Sequence, residues 1–121
     1  MESHFEGWGG MPRYKLVVMT RPVDGREQEY NDWYREVHLG DLVAIDGIKS
    51  AQRFRLSRAV VPNAEPLPYL AIYDVETDDI DKTLEDLQSR ATSGRMFISP
   101  ALSIEEAFGA VYEELGPPVT R

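Results

Sequence analysis

The sequence predicts an α+β domain in which two strand–helix–strand units follow one another, in the order βαββαβ. Four short segments rich in β-branched and aromatic residues are bounded by turn formers, as is typical of strands. Two segments between them carry apolar residues at the three- and four-residue spacing of amphipathic helices. The length of 121 residues suits one domain with a sizeable core.

The first unit is expected to follow a mobile arm. Residues 1–12 contain three glycines and a proline without any helix or strand period. Residues 14–20 then read as an apolar strand that ends at a turn. A helix is predicted from about residue 24, with a bend at Gly40 and one more turn over residues 41–45, because Gly weakens helix interiors.

The second strand is predicted over residues 48–57, where side chains alternate. Ile48 and Phe54 are expected on one face, and Arg53 and Arg55 on the other. A loop with three prolines separates this strand from the second unit.

The second unit is predicted to start with a strand over residues 69–75. A helix capped by Thr77 or Asp78 follows, since both residue types favour N-caps. Its apolar stripe consists of Ile80, Leu84, Leu87 and Ala91. The last strand is expected over residues 106–115, so that the domain spans residues 13–116 and a tail covers residues 117–121.

This element order favours the ferredoxin-like plan, a four-stranded antiparallel sheet with both helices on one face. Both faces of the predicted strands carry apolar side chains, so the face without helices would expose a large apolar patch. We therefore expect a homodimer in which two sheets pack face to face.

Composition narrows the possible partners and locations. The net charge of −8 and the pI near 4.7 oppose binding to nucleic acid or to anionic membranes. The chain has no cysteine, which excludes disulfides and thiolate chemistry. Neither a signal peptide nor a long apolar run is recognisable, so the expected location is the cytoplasm.

Three segments carry a family resemblance: Tyr30-Asn31-Asp32-Trp33-Tyr34, Val37-His38-Leu39 with Asp41, and Gly47-Ile48 with Ser50-Ala51-Gln52-Arg53-Phe54. Over roughly residues 13–115, the sequence resembles the EthD-like branch of the dimeric α/β-barrel superfamily. This resemblance implies a homodimer whose sheets close a barrel. It also implies a small-molecule cleft between each sheet and its own helices.

His38 is the main candidate for catalysis. It shares the aromatic stripe of the first helix with Trp33 and Tyr34, and an imidazole titrates near neutral pH. Asp41, three residues further on, is expected either to orient the imidazole or to serve as an exposed charge or cap. Tyr34 is a candidate hydrogen-bond donor to a substrate oxygen, and Trp33 a flat wall for an aromatic ligand. A core histidine without function is the alternative.

Four further residues are candidates for substrate binding. Tyr73 lies on the third strand, although strand phase alone does not decide whether it faces the helices or the dimer. Arg53 is suited to clamp a carboxylate or phenolate, or else to form an ion pair with Asp74 or Glu113. Met96 and Phe97 are expected to form a lid or pocket wall, with plain packing as the alternative.

These residues predict an enzyme that needs no cofactor and no metal. His38 would transfer protons on a small, hydrophobic, aromatic or lactone-like oxygenated compound, in an isomerase, cyclase or lyase reaction. The sequence lacks a dinucleotide-binding turn, a phosphate loop, HExxH and a nucleophile elbow. Two alternatives remain, a cofactor-independent monooxygenase of a phenol and a non-catalytic binding dimer.

Overall fold

The computed structural model describes residues 10–63 and 65–121. Most of the arm predicted for residues 1–12 lies outside this part of the chain. The strands and helices in chain order are β1 (Arg13–Thr20), α1 (Glu27–Trp33), a π-helical turn (Tyr34–His38), α2 (Leu39–Val43), β2 (Ile48–Arg55), β3 (Tyr69–Glu76), α3 (Ile80–Ser93), a 3₁₀ turn (Ile104–Glu106) and β4 (Phe108–Glu113). Within the described ranges, no helix has the length and apolar character needed to cross a membrane.

The four strands form one antiparallel sheet in the order β2-β3-β1-β4. The register pairs Leu16 of β1 with Tyr73 of β3 and with Val111 of β4. On the other side of β3, Arg53 of β2 pairs with Ala71. This arrangement confirms the predicted βαββαβ order and the ferredoxin-like plan.

The core lies between one face of the sheet and the helices. Alternate residues of β3 are buried, and they pack with Leu16 of β1 against the aromatic residues of the first helical segment. The buried members of β3 are Tyr69, Ala71, Tyr73 and Val75. Tyr73, whose orientation the sequence leaves open, therefore faces the helices.

The opposite face of the sheet carries no helix and remains apolar at its centre. Val17 and Ile72 are paired across the two central strands and are only partly buried. Phe54, Phe108 and Tyr112 add exposed aromatic surface around them. The bare apolar face expected from the sequence is thus present in the folded chain.

Three local details differ from the sequence-based expectations. A register shift between Ile48 and Ser50 turns Ile48 into the core, so it does not share a face with Phe54. Asp79, one residue beyond the predicted caps, accepts a hydrogen bond from the backbone of Lys82 at the start of α3. The last strand is shorter than predicted at both ends, since a 3₁₀ turn extends to Glu106 and the strand covers Phe108–Glu113.

Candidate active site

The first helical segment is widened by a π turn where the candidate residues lie. The backbone N–H of Leu39 donates to the carbonyl of Tyr34, five residues earlier. In a regular α-helix, residues five apart point in different directions. Here Trp33 and His38 stack with ring centroids 4.4 Å apart and an interplanar angle of 26°. Trp33 and His38 share the predicted aromatic stripe, and the π turn brings them into a direct stack that residues five apart in a regular α-helix do not make.

His38 is held between two aromatic rings in a largely desolvated position. Its ring also meets the Tyr34 ring edge-on, with centroids 5.1 Å apart. Burial lowers the pKa of His38 to about 4, because a desolvated imidazole resists protonation. Its Nδ1 atom is buried and has no hydrogen-bond partner within the described residues. The side chain is thus a neutral imidazole at pH 7 with an unused polar atom.

The orienting role predicted for Asp41 stays a prediction. The described residues offer no hydrogen bond to His38 Nδ1, and desolvation alone accounts for its pKa shift. Helical side chains lean toward the N-terminus of the helix. His38 consequently contacts the rings of Trp33 and Tyr34. Asp41 itself is partly exposed.

Tyrosine hydroxyls gather beneath the first helical segment. Tyr30 is fully buried, and its hydroxyl is hydrogen-bonded to the hydroxyl of Thr20. Burial raises the pKa of Tyr30 to about 12 and also raises the pKa of Tyr34 and Tyr73. The Tyr73 hydroxyl is buried next to Tyr34 and has no hydrogen bond of regular geometry among the described residues. All three tyrosines are neutral hydrogen-bond donors at physiological pH.

Arg53 lies over these aromatic rings. Its guanidinium carbon is 4.4 Å from the ring centroid of Tyr34, 5.2 Å from that of Tyr69 and 5.5 Å from that of Tyr30. Such contacts between a guanidinium and an aromatic face are attractive. Tyr34 is thus in contact with both Arg53 and His38.

A chain of hydrogen bonds holds Arg53 in place. Arg53 Nη2 donates to Asn31 Oδ1 at 2.8 Å, Asn31 Nδ2 donates to the Tyr69 hydroxyl at 3.2 Å, and that hydroxyl donates to Glu27. Sequence reasoning missed Glu27, Asn31 and Tyr69. Spacing could have pointed to these residues, because residues four apart share a face of a helix or strand. Such pairs are Glu27 with Asn31, and Tyr69 with Tyr73.

The ion pair considered for Arg53 is absent from the described part of the chain. Asp74 instead binds Lys15 and accepts a hydrogen bond from Ser50 at 2.9 Å. These residues lie on the face of the sheet without helices. Arg53 lies on the helix-covered face, where its register partner is the buried Ala71.

An open groove of about 370 Å³ runs beside Arg53, between α1 and the edge strand β2. This volume is within the range of small-molecule sites, about 300–1,000 Å³. Its lining contains three arginines and no acidic residue: Asn31, Arg35, Arg53, Phe54, Arg55 and Tyr69. The groove is cationic although the whole chain carries a net charge of −8.

The loop after α3 is attached to the candidate site through a tryptophan. Trp33 Nε1 donates to the backbone carbonyl of Phe97 at 3.1 Å. Met96 is buried in the core, as its packing alternative predicts, whereas the Phe97 side chain is 58% exposed. Of the two residues, only Phe97 has a side chain free to meet a ligand.

The structure thus brings most of the predicted site residues together. Trp33, Tyr34 and His38 form one cluster, which Tyr73 joins from below and Arg53 from the side of β2. Within the described ranges, no three histidine, aspartate or glutamate side chains converge in a way that could hold a metal ion.

Comparison with known proteins supports the fold. A candidate monooxygenase from Shewanella loihica matches with 16% identity and a TM-score of 0.54, over 89% of this chain and 100% of that one. An EthD family protein from Bacillus halodurans matches with 14% identity and a TM-score of 0.46, over 87% and 100% of the two chains. HapK from Hahella chejuensis has 16% identity and a TM-score of 0.46, over 92% and 99%.

No family model and no curated protein matches the sequence. The likeness to the Shewanella protein confirms the ferredoxin-like fold predicted from the sequence, and at this identity it concerns the fold alone. The EthD-like resemblance of the sequence agrees with this fold. The molecule is therefore a ferredoxin-like α+β protein with an aromatic, histidine-containing candidate site.

Proposed function

We propose that this protein is a cytoplasmic, cofactor-independent acid–base enzyme for a small, hydrophobic, aromatic or lactone-like oxygenated compound. One observation carries the proposal: a desolvated neutral imidazole with an unused Nδ1 is stacked on Trp33 by a π turn. π turns inside helices occur frequently at functional sites. A strongly shifted pKa in an aromatic cluster is also typical of such sites.

The proposed reaction starts with a proton next to a substrate carbonyl. Neutral His38 accepts this proton, and the carbonyl oxygen becomes an enolate oxygen. Tyr34 and Tyr73 retain their protons at neutral pH, so their hydroxyls can donate hydrogen bonds to that oxygen. His38 then returns the proton to another atom of the substrate, which balances an isomerisation. The negative charge of the enolate strengthens His38 as a base while the charge exists.

Substrate contacts are proposed for the aromatic and cationic residues around this centre. Trp33 supplies a flat wall, Arg53 a positive charge, and Phe97 an exposed ring at the attached loop. Tyr73 would contact the substrate from the sheet, whereas Met96 would only support the loop because it is buried in the core.

The test compares wild-type protein with His38→Gln on a panel of aromatic acids, lactones and enolisable ketones. Gln preserves much of the side-chain volume but cannot accept a proton near neutral pH. We expect turnover to fall at least 100-fold, the lower range of general acid–base contributions. Val37→Ala, at an exposed neighbouring position, serves as the matched control and should retain turnover. Equal turnover in His38→Gln would remove the imidazole from the mechanism.

A second candidate is a cofactor-independent monooxygenase of a phenolic substrate. The specific observation in its favour is the fold shared with the Shewanella candidate monooxygenase. Oxygen consumption on addition of phenols or naphthols separates the two reactions. Stoichiometric uptake of oxygen would favour the monooxygenase, and substrate rearrangement in anaerobic solution would favour the isomerase, cyclase or lyase.

We also propose that the protein is a homodimer built through the sheet face without helices. The apolar pair Val17 and Ile72 lies at the centre of that face, where a second sheet would exclude water. Ile72→Glu should convert the dimer to a monomer in sedimentation velocity experiments. The control Val60→Glu, in a fully exposed loop position, should leave the mass unchanged. A monomeric wild-type protein at micromolar concentration would contradict this assembly.

A further inference from the structure

The groove between α1 and β2 contains two guanidinium groups without carboxylate partners. Within the described residues, no carboxylate lies within ion-pair distance of Arg53 or Arg55, whereas Arg35 is engaged by Asp32 at 2.8 Å and by Glu36 at 3.1 Å. Arg53 and Arg55 are two residues apart on β2 and therefore point to the same side of the sheet. Together they give the groove its unbalanced positive charge.

Arg53 is also preorganised. Three tyrosine ring centroids lie 4.4–5.5 Å from its guanidinium carbon, and Asn31 accepts a hydrogen bond from Nη2. Asn31 is in turn fixed by Tyr69. A fixed guanidinium loses little conformational freedom when it binds, and its planar fork matches the two oxygens of a carboxylate.

Asn31 and Tyr69 explain why Arg53 remains available for a ligand. Glu27 accepts a hydrogen bond from the Tyr69 hydroxyl and forms no direct ion pair with Arg53 within the described residues. It is linked to Arg53 only through the hydrogen bonds of Tyr69 and Asn31. Arg53 also interacts with the Tyr30 hydroxyl, as a hydrogen bond that lowers the pKa of that tyrosine against the effect of burial, and its other N–H groups have no acceptor among the side-chain hydrogen bonds of the described residues. The network therefore positions the guanidinium and leaves most of its donors unused.

We propose that this groove binds the carboxylate group of a small planar acid, with Arg53 as the principal ligand and Arg55 as a secondary charge. The aromatic part of such an acid would meet the ring of Tyr69, which lines the same groove. The inference rests on the proposed function only in treating the bound acid as the substrate. It narrows the substrate class from oxygenated aromatic compounds to aromatic carboxylates.

The groove is adjacent to the imidazole cluster and separate from it. The Tyr34 ring lies between the two groups, 4.4 Å from the guanidinium carbon of Arg53 and 5.1 Å from the centroid of His38. A substrate anchored at Arg53 must therefore extend past Tyr34 to reach His38. We expect a single benzoate to bind without being converted, which makes it a suitable probe.

The test is an NMR titration with benzoate and with its neutral isostere benzamide. Benzoate should shift backbone amide resonances of Arg53, Arg55 and Tyr69, and benzamide should bind at least tenfold more weakly. Arg53→Gln should lower the affinity for benzoate at least tenfold, as expected for the loss of hydrogen bonds to a charged group. Arg53→Lys retains the positive charge but not the planar guanidinium, so its affinity for benzoate should lie between those of the wild-type protein and Arg53→Gln. Arg55→Gln should have a smaller effect than Arg53→Gln, and Arg58→Gln, an exposed position beyond the end of β2 and outside the groove lining, is the matched control that should bind benzoate like the wild-type protein.

Several outcomes would overturn the inference. These are equal binding of benzoate and benzamide, unchanged affinity in both Arg53 variants, shifts confined to another surface, or no shift at all. His38→Gln should bind benzoate like the wild-type protein. Benzoate binding without turnover of any compound would contradict the proposed enzyme alone. Turnover of an aromatic carboxylate that is insensitive to Arg53→Gln would contradict the carboxylate site alone.

Discussion

The two strand–helix–strand halves of this protein stabilise their helices in different ways. The first helical segment has no side-chain N-cap at Arg26, yet it buries Tyr30, Trp33 and Tyr34. The helix of the second half, α3, has an Asp79 cap and a left-handed Gly94 at its end, but Thr83 is its one buried residue. Packing thus stabilises the first helix, and local signals stabilise the second.

This difference explains where the irregular backbone occurs. A segment stabilised by large buried rings tolerates a widened turn, because aromatic contacts of roughly 0.5–1.5 kcal/mol each favour the observed geometry. A helix that depends on its own caps and on pairs such as Asp86 and Arg90 keeps regular hydrogen bonds. The candidate site lies in the half where packing overrides helical regularity.

The largest expected effect is the loss of an aromatic ring from the first half. Tyr30→Ala removes a fully buried side chain and should lower the free energy of unfolding by about 3–5 kcal/mol. Leu87→Ala, on the partly buried face of α3, should cost about 1–2 kcal/mol. Urea denaturation of both variants measures the difference. Similar losses would show that the two halves do not differ in packing.

The next effect concerns the pH dependence of stability. His38 has a pKa of about 4 in the folded chain and about 6.5 when unfolded, so the unfolded state binds the proton first as pH falls. The free energy of unfolding is therefore highest, with respect to His38, above pH 6.5. It decreases by about 3 kcal/mol as the pH falls from 6.5 to 4.

Between pH 6.5 and 4, the free energy of unfolding of His38→Gln should therefore fall by about 3 kcal/mol less than that of the wild-type protein. Urea denaturation at several pH values, with Val37→Ala as a control, provides the measurement. Parallel stability curves for wild type and His38→Gln would mean that the imidazole is solvated in the folded protein.

The smallest effect compares two glycines in left-handed conformations. Gly47 follows the first helical segment with φ +97°, and an added Cβ would be 3.2 Å from Thr83 Oγ1. Gly94 ends α3 with φ +83° and has open space around it. Gly47→Ala should cost about 1–3 kcal/mol, and Gly94→Ala about 1 kcal/mol, because only the first combines backbone strain with crowding. Thermal denaturation of both variants tests this order.

Much of the fold follows from short-range patterns in the sequence. The alternating pattern of the third strand predicts β3 and shows which residues share a face, namely Tyr69, Ala71, Tyr73 and Val75. Which of the two faces is buried follows once the side that the helices cover is known. The four-residue spacing of Tyr34 and His38 likewise predicts their contact correctly. These features depend on the geometry of a single element.

The remaining features depend on contacts between elements or on departures from regular geometry. A period of 3.6 residues does not predict the stack of Trp33 on His38, since only the π turn aligns residues five apart. The partners of Arg53 depend on strand register and on Asn31 from another element.

The π turn also makes the number of residues in the first helical segment important. A widened turn holds one residue more than a regular helix needs to cover the same distance. If the same residues formed an ordinary α-helix, everything from His38 onward would rotate by about 100° relative to Trp33. Deleting a residue such as Val37 would instead give a regular helix in which His38 follows Trp33 by four residues and still shares its face. The exact chain length between these aromatic residues and Leu42 is thus a structural determinant, independent of which side chains occupy the exposed positions.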